Sequence, residues 1–183
     1  MLEITSAFIA TSLDSFIARE DGGIDWLAAG SDGAQDPSED YGYAEFVATV
    51  DVLIMGRGTY EKVLTFEGWP YGSTKVIVLS SRPLAIPDHL ADRVEAMSIP
   101  PGEVVAELAR RGHRHAYVDG GRTIQGFLSA GLLDRLIVTR IPILLGSGRP
   151  LFGTLPHDVR LRHVQTRAFS SGLVQSEYEV MHS

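Results

Sequence analysis

Hydrophobic and polar positions along the 183 residues fall into two alternating patterns. Short apolar runs bounded by glycine or polar turns are separated by stretches whose apolar residues recur at helical spacing. Residues 2–10 alternate and are rich in Ile, Phe and Ala, which predicts a first strand. Residues 12–40 read as loop, with turn signals at Asp21-Gly22-Gly23 and Gly30-Ser31-Asp32-Gly33. Tyr43, Phe46, Val47 and Val50 stand at i, i+3, i+4 and i+7 and predict a helix, and residues 51–55 form a short apolar strand ended by Gly56. The cycle then repeats. Helices are predicted over 59–66, 101–111 and 123–130, and strands over 75–79 and 116–118. The second of these helices has Pro at its start and Gly112 just past its end, the asymmetry that helix termini favour. Strand–helix alternation of this kind predicts a mainly parallel sheet covered on both faces.

The last third changes character. Residues 136–145 are β-branched and apolar, interrupted only by Pro142, while 160–169 and 173–180 alternate around Ser170-Ser171-Gly172. That is a hairpin signal, and an antiparallel edge on the parallel sheet accommodates it. There is no internal repeat, low-complexity tract or linker, so residues 1–183 are read as one α/β domain.

Composition narrows the function classes. With 16 Lys+Arg against 23 Asp+Glu the net charge is −7, and the chain lacks the basic excess that sequence-independent nucleic-acid binding requires. Cysteine is absent, which removes disulfides, thiol nucleophiles and Cys-ligated metals. No apolar run approaches the roughly 20 residues that span a bilayer. The opening Met1-Leu2-Glu3 is acidic where a secretory signal would be basic, so a soluble, cytoplasmic protein is expected. His113-Arg114-His115 lacks a third ligand at sensible spacing and is read as a solvated loop, so no metal site is expected.

The candidate chemistry lies in three turns that follow strands, because ligands of open α/β sheets bind outside the carboxyl ends of the strands. Gly56-Arg57-Gly58-Thr59 combines a tight turn, a five-donor guanidinium and a hydroxyl beside a helix start. Ser80-Ser81-Arg82-Pro83 puts two hydroxyls and a guanidinium after a buried strand, suited to a phosphate monoester or to a plain solvated turn. Asp119-Gly120-Gly121-Arg122-Thr123 leads into a helix whose N-terminus offers donors to a pyrophosphate, although the GxGxxG and GK[ST] fingerprints are absent. Taken singly, the first two turns read more readily as structure and the third equally as structure or ligand cradle; their coincidence on three strands is the stronger signal. Asp14 and Asp40 in the early loop are the candidate proton donors, with a bound water as the alternative, and Arg140 and Arg149 are the candidate partners of a substrate phosphate. Gly146-Ser147-Gly148-Arg149-Pro150 is read as a mobile turn or an anion contact.

Taken in order, these segments resemble the dihydrofolate reductase superfamily, and within it the reductase domain of riboflavin biosynthesis and its stand-alone relatives. The resemblance is carried by residues 4–17 with Trp26, Met55-Gly56-Arg57-Gly58-Thr59-Tyr60-Glu61, the strand ending Leu79-Ser80-Ser81-Arg82, Val118-Asp119-Gly120-Gly121-Arg122, the strand ending Val138-Thr139, and Leu144-Leu145-Gly146 with Pro150-Leu151-Phe152. It implies a dihydrofolate reductase-like fold and NADPH as hydride donor. Carried over by position, Ala10 and Ile17 border the nicotinamide; Gly56, Arg57 and Thr59 bind phosphates; and Ser80, Ser81 and Arg82 hold the 2′-phosphate. Gly120, Gly121, Arg122 and Thr123 hold the pyrophosphate, and Asp40 and Thr139 are substrate-side positions.

The resemblance further implies a homodimer, with residues 136–145 as the contact strand, and reduction of a heterocyclic or ribosylamino C=N bond. The activity it most resembles is that of 5-amino-6-(5-phosphoribosylamino)uracil reductase. Asp119 stands where folate reductases usually have a further glycine, which favours the riboflavin type over dihydrofolate or other pteridine reduction. A nucleotide-binding module without turnover is the third reading. No cysteine is present to build the zinc deaminase that precedes the reductase in bifunctional relatives.

Overall fold

The computed structural model describes residues 2–29 and 39–182. The turn expected at residues 30–33 lies outside the described residues. The strands are β1 (Ile4–Ser12), β2 (Phe16–Ala18), β3 (Val52–Gly56), β4 (Lys75–Leu79), β5 (Val94–Met97), β6 (His115–Asp119), β7 (Arg135–Ile141), β8 (Arg149–Pro150), β9 (Arg160–Ala168) and β10 (Val174–Met181). The helices are α1 (Trp26–Ala29), α2 (Tyr43–Ala48), α3 (Arg57–Val63), α4 (Pro101–Arg110) and α5 (Gly121–Ser129).

Eight strands form one sheet in the order β5-β4-β3-β6-β1-β7-β10-β9, and β2 pairs with β8 in a separate two-stranded ribbon. Every neighbouring pair from β5 to β7 is parallel, whereas β10 runs antiparallel to both β7 and β9. The expected α/β architecture, a mainly parallel sheet flanked by helices with a C-terminal antiparallel hairpin, is therefore present. One face packs Val104 and Leu108 of α4 and Ile124, Phe127 and Leu128 of α5 against Val52, Ile54, Ala7 and Leu136. The other packs Phe46 of α2 and Tyr60 of α3 against Leu53, Met55, Val76, Val78 and Tyr117. Alternation along each strand sends successive side chains to these two faces.

Four differences from the sequence reading have physical causes. The early loop contains β2 and α1, because three- and four-residue elements are too short for periodicity to register. β5 was invisible for the same reason, with a mixed apolar and charged run, Val94-Glu95-Ala96-Met97. β7 stops at Ile141 before Pro142, and it is hydrogen-bonded on both sides, to β1 and β10. It is thus an interior strand and offers no pairing edge to a second copy; the free edges are β5 and β9. Finally, helices cover both faces only as far as β7, and β9 is exposed at every one of its nine positions.

His115 corrects the reading of its segment as solvated loop. It opens β6 and is 8% exposed. Its Nδ1 lies 3.0 Å from the Thr49 carbonyl and its Nε2 2.8 Å from the Ser6 hydroxyl. A neutral imidazole fills this pattern, donating from Nδ1 and accepting at Nε2. Burial holds its pKa below the ordinary value of 6.5, so the unfolded chain takes up the proton first. This group's contribution to stability is complete above about pH 6.5 and is lost as the pH falls below it. Burial acts with the opposite sign on Asp119, pushed up to about 6, whose contribution improves with acidification. The expected outcome is therefore a difference: the stability gap between wild type and His115→Gln, from urea unfolding at pH 7.5 and 5.5, narrows at the lower pH. A gap that does not narrow contradicts the neutral buried imidazole.

Candidate active site

Because β4, β3, β6, β1 and β7 are consecutive and parallel, their carboxyl ends lie along one edge of the sheet. They carry, in spatial order, Ser80, Gly56, Asp119-Gly120, Ala10 and Thr139. With neighbouring strands about 4.8 Å apart, the row extends for roughly 19 Å. The three turns singled out in the sequence, separated by dozens of residues, follow three adjacent strands. Ala10 and Thr139 are direct partners across the β1–β7 pair.

The β3 and β6 turns are pressed together. Gly120 has φ 90°, and a Cβ there would overlap the Thr59 hydroxyl. A Cβ on Gly56 would sit 3.0 Å from the Thr123 hydroxyl, and one on Gly121 only 2.8 Å from Cδ1 of Ile17. The missing side chains let the amino-terminal ends of α3 and α5 converge, with Thr59 and Thr123 between them and Ile17 of β2 closing one side. Neither helix has a side-chain cap. The first α5 hydrogen bond runs from Ile124 to the Gly120 carbonyl, leaving the amides of Gly121, Arg122 and Thr123 without an intrahelical acceptor. Two uncapped helix ends at one place are able to receive an anion through their free amides and their dipoles.

Cations flank this place. Arg57 donates to the Pro83 carbonyl and its Nε lies 3.2 Å from the Glu61 carboxylate, tying α3 to the Ser80–Pro83 turn. Ser80 accepts from the Arg82 amide at 3.3 Å and donates to the Arg82 carbonyl at 2.7 Å, which closes the turn and leaves Ser81 and Arg82 exposed. Arg122 is exposed in the first turn of α5. These groups fit a phosphorylated dinucleotide: two helix ends for a pyrophosphate, and a hydroxyl–guanidinium turn for a further phosphate.

The other half of the row differs in character. Asp119 shares a sheet face with Tyr117 and accepts from the Gly120 amide at 2.8 Å. Burial nonetheless pushes its carboxyl up to about 6. The same burial, with the Asp119 charge nearby, pushes Tyr43 up to about 12 and raises Tyr71. Thr139 is buried and its hydroxyl accepts from Gln175 at 2.9 Å, and Gln175 also donates to the Tyr41 carbonyl at 3.0 Å. Asp40 is exposed, with its oxygens engaged by the Gly42 and Ala44 amides at 2.9 and 2.8 Å, so it organises the start of α2. Asp14 accepts from Ser12, Leu145 and Gly146, which pins the 145–146 turn to the end of β1.

Residues 4–175 match the RibD C-terminal domain. The chain belongs to this family. The chain is 36% identical over 177 residues to the uncharacterised protein YwjB of Bacillus subtilis, covering 95% of this chain and 96% of that one. The solved structure of a Shewanella sp. PV-4 protein assigned to riboflavin biosynthesis superimposes with a TM-score of 0.91 at 36% identity, over 98% and 99% of the two chains. The riboflavin biosynthesis protein RibD of Corynebacterium ammoniagenes is 28% identical over 163 residues, and this chain spans 46% of its length. RibD C-terminal domains form a reductase family that typically uses a nicotinamide cofactor, in keeping with the anion cradle on this row.

Two sequence expectations for this RibD-type domain change with the structure. Arg140 alternates onto the face opposite Asp119 with Leu136 and Val138, and the Arg149 guanidinium is engaged by the Glu20 carbonyl at 3.2 Å. Conversely, Asp119, Tyr43, Tyr71 and Gln175 were not singled out as site residues. For Asp119 the signal was present, an acid immediately before the paired glycines. Gln175 carried none, since only the antiparallel placement of β10 brings it beside Thr139. A direct check of the cradle is Gly120→Ala, expected to cost about 1–3 kcal/mol in urea unfolding through the strained φ and the Thr59 overlap. Adding Thr59→Ala recovers part of that loss. Gly58→Ala, at an open position within α3, keeps or slightly raises stability.

Proposed function

We propose that this chain is an NADPH-dependent reductase that transfers a hydride to the C=N bond of a heterocyclic or ribosylamino substrate, most like 5-amino-6-(5-phosphoribosylamino)uracil reductase. The observation that carries the reading is the pair of uncapped helix ends drawn together by the Thr59–Gly120 and Thr123–Gly56 contacts. NADPH, when bound, supplies the hydride. Gly121, Arg122 and Thr123 would hold its pyrophosphate by backbone donors, and Arg57, Ser80, Ser81 and Arg82 its 2′-phosphate. Ala10 and Ile17 are the small and apolar surfaces beside which the nicotinamide ring would lie, and water excluded there strengthens every charge interaction in the cleft. Asp119, pushed up to about 6, retains a proton for part of the time at neutral pH and would deliver it to the substrate nitrogen. Thr139, oriented by Gln175, presents a hydroxyl on the substrate side.

One observation favours a second reading, reduction of an unphosphorylated heterocycle on the same scaffold. All 16 Lys and Arg lie within the described residues, and the carboxylate and tyrosines around Asp119 have no guanidinium among them. The cation on this side of the sheet near Thr139 is Arg167, stacked 5.1 Å over Phe169 on the far side of β10.

Titration with NADPH and NADH, followed by nicotinamide fluorescence, tests the cofactor half. NADPH is expected to bind about tenfold or more tightly than NADH, and Arg82→Ala to remove most of that preference through loss of a charge-assisted contact. Equal affinities, or none, overturn it. For the chemical half, turnover is expected to fall as the pH rises through about 6, and Asp119→Asn to lower kcat and flatten that profile while leaving NADPH affinity within about twofold. A variant that retains the wild-type profile removes Asp119 from the proton path.

A further inference from the structure

A recessed pocket of about 190 Å³ opens on the face of the sheet opposite Asp119. Its apolar walls are Leu136 and Val138 of β7, Leu151 and Phe152 after β8, and Leu161 of β9. Arg140 is its single charged lining residue and makes no ion pair or side-chain hydrogen bond among the described residues. Thr11 of β1 also lines it; this residue is 1% exposed, and its buried hydroxyl has no hydrogen-bond partner among the described residues. Ser176 and Tyr178 of β10 add two further hydroxyls. A buried hydroxyl without a partner costs free energy unless something outside the chain satisfies it. A guanidinium beside an apolar hollow asks for an anion with an apolar body.

We propose that this pocket is a second ligand site, distinct from the reductase cleft, for a small carboxylate carried on one apolar ring. Arg140 pairs with the carboxylate, Thr11 donates to it from the floor, and the leucine and valine walls take the ring. Size limits the occupant, since drug-sized ligands fill about 300–1,000 Å³ and this space is smaller. The site is joined to the cofactor cradle by one piece of backbone. The Ser15 carbonyl in the pocket wall accepts from the Leu151 amide at 2.9 Å, and the β2–β8 ribbon that begins there presses Ile17 onto Gly121.

The test is isothermal titration of the purified protein with sodium benzoate, with and without saturating NADPH, against benzamide as the uncharged probe of the same shape. Benzoate is expected to bind saturably, to lose about tenfold or more in Arg140→Gln, to weaken severalfold in Thr11→Val, and to outcompete benzamide by a similar factor. Binding persists with NADPH present, which separates this site from the cleft. Arg140 is exposed, so its variant is expected to keep the wild-type melting temperature and NADPH affinity, and both are measured alongside. No saturable benzoate binding, equal affinity in Arg140→Gln, or loss of binding when NADPH is added each overturns the proposal: the first leaves a water-filled hollow and the last an anion sitting in the cofactor cradle. Failure of NADPH itself to bind counts against the reductase reading alone.

Discussion

Thr59 and a Cβ at position 120 cannot share the same space, and that exclusion organises the carboxyl edge of the sheet. With Gly120 at φ 90° and no Cβ, the β6 turn lies directly against the Thr59 hydroxyl, and Gly56 admits Thr123 from the opposite side. The reciprocal arrangement, each turn giving up a Cβ to the other's threonine, pulls two helix ends together at the carboxyl edge of the sheet. The sheet order makes it possible, because β3 and β6 are neighbours although more than fifty residues separate them. Without that contact the orphan amides of α3 and α5 would face solvent separately, and the anion cradle would be two ordinary helix starts.

The same edge is divided by electrostatics. On one side of Gly120 stand Arg57, Arg82 and Arg122 with the Ser80 turn; on the other stand a carboxyl and a set of tyrosines, each raised in proton affinity by its own burial and the tyrosines also by the Asp119 charge. A dinucleotide and a planar ring are suited by these two halves in turn. The backbone between them is short, since Asp119 and Gly120 are consecutive and share a hydrogen bond. A carboxyl held near 6 beside a cationic cradle is the kind of tuned pair on which acid–base chemistry near neutrality depends.

Away from the edge, the sheet is unevenly protected. Among the described residues, α2 to α5 pack over the strands from β5 to β7, whereas β9 is exposed along its whole length. The pocket beside Arg140 and Thr11 lies at this end of the sheet, between Leu151 and Phe152 of the segment after β8 and Leu161 of β9. His115, at the opposite end of β6 from Asp119, shows the contrasting solution, where both ring nitrogens are satisfied and burial has no loose end.

Much of the protein was determined by its sequence. Apolar runs of five residues alternating with helical spacing require a parallel sheet with crossover helices, and the alternation around Ser170-Ser171-Gly172 requires a hairpin. Gly56, Thr59, Gly120 and Thr123 were legible as turn and cap chemistry because those residue types are tied to local backbone geometry. Tertiary structure alone decided how those local pieces meet. It made β7 an interior strand, put Arg140 on the face away from Asp119, turned Asp40 and Asp14 toward their own backbone, and set Gln175 beside Thr139. These outcomes depend on strand order and on which face each alternating residue occupies. Both are fixed by long-range pairing, of which a local pattern of apolar and polar residues holds no record.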